Sequence, residues 1–112
     1  MKETEDAFWL RFGEPNQSSS FLGDLEGKYL FFSVYQQNLI DIAKKEINEN
    51  GFEVAKVSVW PNNNDYVLCL YWHDDSRKHE LAQRYLGLSD IKYRYWKANS
   101  LTRAGVYSKE YK

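Results

Sequence analysis

One cysteine, Cys69, is all that this 112-residue chain has, so it closes no disulfide of its own and gives no sign of an oxidising compartment. Cys69 sits in the apolar run Tyr66-Val67-Leu68-Cys69-Leu70-Tyr71, where a thiol reads as a small buried hydrophobe. No apolar run approaches the ~20 residues needed to cross a bilayer. The first residues are acidic and carry no leader-like apolar stretch. A cytoplasmic protein without a membrane partner is therefore expected. Missing too are a Gly-rich phosphate loop, a Ser-His-Asp spacing and a Cys-x-x-Cys pair. His73 and His79 bracket Asp74 and Asp75, but a metal site needs a third ligand. The acids read better as helix-capping residues, so no metal or cofactor is expected.

Charge of one sign is also lacking. The formal net charge is −1, which excludes a generally basic nucleic-acid binder. The charges are unevenly placed, however. Residues 1–27 hold two cations against six acids, and residues 88–112 hold six cations against two acids. A local basic face on a near-neutral protein attracts anions selectively. Aromatic residues make up 17% of the chain. A single domain of this length, residues 1–112, has one core. Some of those rings should then lie at the surface or line a groove, the alternative being a Tyr-rich core with its hydroxyls turned outward.

Residues 1–27 form an acidic N-terminal segment. Within it Ala7 to Phe12 suits a short strand or one helical turn, and 13–20 reads as a mobile loop for its Gly, Pro and polar content. Lys28 to Val34 reads as a buried strand. From Gln36 to Asn50, Leu39, Ala43 and Ile47 recur at helical spacing, with Ile40 and Ile42 beside them, and Gly51 closes the helix. Phe52 to Trp60 alternates: Ala55, Val57 and Val59 on one face, Val54, Lys56, Ser58 and Trp60 on the other. Pro61 to Asp65 is a hairpin connection whose Asn residues tolerate positive φ. Tyr66 to His73 returns as its partner strand. A helix follows over 76–86, closed by Gly87, and strands 91–97 and 106–111 end the chain.

The order (β)β-α-ββ-α-ββ predicts an α+β two-layer sandwich, a curved antiparallel sheet backed by two helices on one face. Without its outer strands the order is the ferredoxin-like βαββαβ pattern, which is the alternative. One sheet face then meets the helices and the other stays open. If Ala55, Val57 and Val59 pack inward, Lys56, Ser58 and Trp60 project outward. On the strand at 91–97, Ile91, Tyr93, Tyr95 and Lys97 form the expected inward set, leaving Lys92, Arg94 and Trp96 exposed. Cations reach phosphate oxygens and aromatic rings stack on bases, so this combination suits an anionic ligand with a flat part.

Gly27-Lys28-Tyr29, Ala55-Lys56-Val57-Ser58, Val67-Leu68-Cys69-Leu70-Tyr71 and Lys97 with Thr102-Arg103-Ala104-Gly105-Val106-Tyr107-Ser108 resemble blocks of the basophilic-leukaemia-expressed protein family. That family has a fold similar to the cap-binding translation initiation factor 4E. The resemblance spans about residues 27–108 and implies a strongly curved antiparallel sheet backed by helices. It matches at Lys56, Lys97, Thr102 and Tyr107, and adds Lys97, Thr102, Arg103 and Tyr107 to the candidate ligand-binding set. Some family members carry labels of phosphothreonine lyase or RNA binding. Cap recognition needs two rings around a base and an acid beside one; here Pro61 follows Trp60 where that acid would stand.

Three functions fit these residues. The first is a module binding a nucleotide, RNA or another phosphate-bearing ligand on the open face. The second is an enzyme on a phosphorylated substrate, with Lys56 or Lys97 moving a proton at a pKa lowered by neighbouring cations. The third is a protein-interaction or inhibitor domain anchored by exposed Tyr and Trp. An unpaired sheet edge leaves a homodimer open.

Overall fold

The structure, a computed structural model, describes residues 3–13, 27–88 and 90–98, with the backbone alone at 94, 95 and 98. Its elements are β1 (Glu3–Glu5), β2 (Trp9–Gly13), β3 (Gly27–Ser33), α1 (Gln36–Glu49), β4 (Val54–Ser58), β5 (Tyr66–Trp72), α2 (Lys78–Tyr85) and β6 (Lys92–Ala98). The expected loop lies, beyond Gly13, outside the described residues, as does the expected strand at 106–111.

The six strands form one open sheet in the order β1-β2-β4-β5-β3-β6, and every pairing is antiparallel. With α1 and α2 on one face, this is the α+β two-layer arrangement read from the sequence. From β3 to β6 the chain follows the split β-α-β order of ferredoxin-like folds. The β1–β2 hairpin is added beside β4.

Local chemistry explains the element ends. Gly51 takes φ +83° just past α1, a conformation that costs a residue without Cβ little. Asn63 and Asn64 take φ 54° and 71° between the bridged residues Asn62 and Asp65. Two consecutive left-handed residues match the right-handed twist of the flanking strands.

The core lies between sheet and helices. Phe12, Tyr29, Phe31, Ala55, Val57, Leu68 and Leu70 meet Leu39, Ile42 and Ala43 of α1, Leu81 and Tyr85 of α2, and Phe52. Each large side chain buried this way contributes about 1.5–3 kcal/mol of transfer free energy. Phe31 and Tyr85 pack edge to face, with centroids 5.4 Å apart.

A buried ionic network fastens α2 to the end of α1, and nothing in the sequence pattern announces it. The Glu46 carboxylate is fully buried. It accepts hydrogen bonds from Arg84 Nη2 at 2.5 Å, Tyr85 Oη at 2.6 Å and Asn50 Nδ2 at 2.9 Å. Arg84 also donates to Glu80, which is paired in turn with Arg77. The Arg77 guanidinium lies over the Phe52 ring and donates to the Asn50 carbonyl at 2.7 Å.

The strand at 92–98 corrects one expectation. Tyr29 pairs with Trp96 but Phe31 pairs with Tyr93, so β6 holds one extra residue at this bulge. A single insertion flips every later side chain to the opposite face. Trp96, expected outside, therefore packs against the helix-side core together with Tyr93. Lys97, expected inside, pairs with Lys28 on the opposite face. Gly27 makes room for the indole: a Cβ there would lie 2.5 Å from a Trp96 ring carbon.

Candidate functional site

The face away from the helices has its own small core. Leu30, Cys69 and Tyr71 are buried there, with Trp9, Phe32, Val54 and Val67 partly buried around them. Tyr71 is only 3% exposed there.

Among the described residues, five cations share this face through strand register, Lys92 among them opposite Phe32. Arg11 on β2 pairs with Lys56 on β4, and Lys56 pairs with Cys69 on β5. Tyr71 pairs with Lys28 on β3, and Lys28 pairs with Lys97 on β6. Adjacent strands stand ~4.8 Å apart, so cations and rings interleave at close range. Lys56 Nζ lies 4.4 Å from the Trp9 ring centroid and 5.7 Å from that of Tyr71, and Lys28 Nζ lies 5.9 Å from Tyr71. The result is a ladder: Lys28, Tyr71, Lys56, Trp9. Among the described residues, no strand position on this face bears a carboxylate. Arg11 is balanced from the preceding turn by Asp6 at 3.0 Å.

The electrostatics follow from that crowding. Burial lowers the pKa of Lys56; Cys69 opposes it, and the charges of Arg11 and Lys28, each a lesser influence than Cys69, add to the lowering. Burial lowers Lys28 as well. Burial raises the Cys69 thiol, with Lys28, Lys56 and Lys97 pulling the other way. Lys97 is 4% exposed, an unusual degree of burial for a lysine.

Of the residues chosen from sequence, Lys56, Ser58, Lys92 and Lys97 fall on this face. Ser58 has a structural task there, its Oγ accepting the Val67 N–H at 3.0 Å. Lys92 lies at the start of β6, its Nζ 3.3 Å from Asp65. Trp60 lies past the end of β4, exposed, with its indole N–H donating to the Ala7 carbonyl at 3.2 Å. Trp96 belongs to the helix side, as described above. The side chain of Arg94 and all of Thr102, Arg103 and Tyr107 lie outside the described residues.

Sequence reasoning missed Trp9, Arg11, Lys28 and Tyr71. The available signal was alternation: Trp9 and Arg11 flank Leu10, while Lys28 and Leu30 flank Tyr29. What the pattern withheld was the strand order that puts β2 beside β4 and β5 beside β3.

His73 and His79 are both exposed. Among the described residues, no three His, Cys, Asp or Glu side chains are grouped to hold a metal ion. Among the same residues, no helix is long and apolar enough to cross a membrane. Comparison with protein families, with curated proteins and with solved structures finds no match.

Proposed function

We propose that this protein binds a phosphate-bearing ligand, a nucleotide or RNA, on the sheet face away from the helices. The observation that carries this reading is the ladder of Lys28, Tyr71, Lys56 and Trp9 on a face whose strands bear no carboxylate among the described residues. Partly dehydrated lysines are costly to keep charged, and a phosphate brought alongside would offset that cost. Trp9, half-buried beside Lys56, is the ring available for a base to stack on. The resemblance to the basophilic-leukaemia-expressed family belongs to the same proposal, since its Ala55-Lys56-Val57-Ser58 block supplies β4.

The test is a titration of intrinsic tryptophan fluorescence with ATP and with a single-stranded RNA octamer, at low and high salt. Saturable quenching that weakens with salt, and that Lys56→Ala reduces at least about ten-fold, supports the reading. Binding that is insensitive to both salt and Lys56→Ala removes it.

A second reading rests on the lowered pKa of Lys56: an enzyme on a phosphorylated substrate that uses Lys56 to move a proton. Turnover that Lys56→Arg abolishes while phosphate binding persists would separate it from the first.

A further inference from the structure

The large apolar side chains left exposed among the described residues are Phe8, Val34, Tyr35, Trp60, Leu86 and Leu88. All six lie at one end of the sheet, and the topology shows why. At that end β3 and β4 finish, β2, β5 and β6 begin, α1 starts and α2 stops. The connections there carry the six residues: Phe8 before β2, Val34 and Tyr35 between β3 and α1, Trp60 in the β4–β5 hairpin, Leu86 and Leu88 between α2 and β6. At the opposite end the described connections, 50–53 and 73–77, are polar apart from the buried Phe52.

These side chains are held out on ordered backbone. Val59 N–H donates to the Phe8 carbonyl at 2.9 Å, and the Trp60 indole donates to Ala7. Leu86 N–H closes the last turn of α2 on the Ala82 carbonyl at 2.7 Å. Trp60 is 68% exposed and Leu86 71% exposed, far more than packing alone requires. Large apolar side chains held exposed together at one end of a sheet mark an interaction site, and Trp and Tyr are the anchors interfaces favour.

Charge selects the partner. The same end carries Asp6, Asp41, Asp65 and Asp90. Arg11 pairs with Asp6 and Lys92 with Asp65. Asp41 accepts only the amide of Gln37, and it and Asp90 are exposed with no cation paired to either among the described residues. The geometry points to this end as a docking surface for a basic, amphipathic helix of a protein partner, its apolar side chains flanked by Lys or Arg. From β2 to β6 the end spans four strand intervals, roughly 19 Å, which a helix of about thirteen residues matches. Two copies of this chain meeting there would oppose their own unpaired acids, and an anionic lipid surface would meet the same repulsion.

The experiment pans a display library of random 14-residue peptides against the full chain. The leading peptide is then measured by fluorescence anisotropy against wild type and against Trp60→Ser/Leu86→Ser. Both substitutions are at exposed positions, and an unchanged melting transition confirms folding. Expected is enrichment of peptides with Leu, Phe or Trp at helical spacing among Lys and Arg. Their affinity should fall at least about ten-fold in the double variant and should fall also in Asp41→Asn/Asp90→Asn. Absence of enrichment, enrichment of acidic peptides, or binding untouched by the double variant overturns the proposal. So does sedimentation with phosphatidylserine vesicles, or a wild-type dimer, that Trp60→Ser/Leu86→Ser abolishes.

Discussion

Lys56 and Trp9 face each other diagonally across the β2–β4 pair, the ammonium 4.4 Å from the indole centroid. The contact favours the cation by about 0.5–1 kcal/mol at a partly exposed site. Burial opposes it and is the larger influence, since the lysine's pKa is lowered. A lysine whose folded pKa lies below its ordinary 10.5 contributes stability above that pH and loses it as pH falls through the lowered value. Lys56→Met should therefore raise the melting temperature at pH 7, with the gain shrinking as pH approaches 10.5. Thermal melts across that range check this. A variant less stable than wild type at pH 7 would mean that the contact with Trp9 outweighs desolvation.

Glu46 is the fully buried carboxylate of the α1–α2 junction, and Arg84 is its counter-charge. Arg84→Ala should cost about 3–5 kcal/mol, because a buried charge is left uncompensated. Replacing both, as Glu46→Leu/Arg84→Leu, should recover much of that loss. Urea unfolding curves of the single and double variants measure the difference.

Glu80 gives the same junction its acid sensitivity. Its pKa is held down at about 2, chiefly by the Arg77 hydrogen bond and then by Arg84, against an ordinary 4.5. A depressed carboxylate contributes stability that is complete above 4.5 and is lost as pH falls through about 2. Glu80→Gln should lower stability at pH 7 and flatten its dependence over that window, as followed by far-ultraviolet circular dichroism.

The β4–β5 turn offers a local test. Asn64 holds φ 71°, which glycine adopts without strain. Asn64→Gly should stabilise by a few tenths of a kcal/mol, and Asn64→Val should destabilise by about 1–2 kcal/mol. Thermal melts of the two variants suffice.

Much of the fold was legible in the residues. The alternation of Ala55, Lys56 and Val57, the helical stripe of Leu39 and Ala43, and the Asn-rich turn each specify local structure through one physical cause. Lys97 and Trp96 were misplaced because alternation presumes an unbroken register, and the bulge opposite Tyr29 and Phe31 is set by a neighbouring strand. Glu46 escaped notice because a glutamate near a helix end ordinarily reads as solvated; only the approach of Arg84, 38 residues away in sequence, makes it internal. The candidate site was half legible. Lys56 was found from its own strand, while Trp9, Arg11 and Lys28 join it only through strand order.

The most direct test of the central claim is amide chemical-shift mapping of the isotopically labelled protein titrated with a single-stranded RNA octamer. Ligand binding on this face gives salt-sensitive shifts that saturate and concentrate at Trp9, Arg11, Lys28, Lys56 and Tyr71. Shifts confined to α1 and α2, or an unmoved spectrum with the octamer in large excess and with ATP alike, would contradict it.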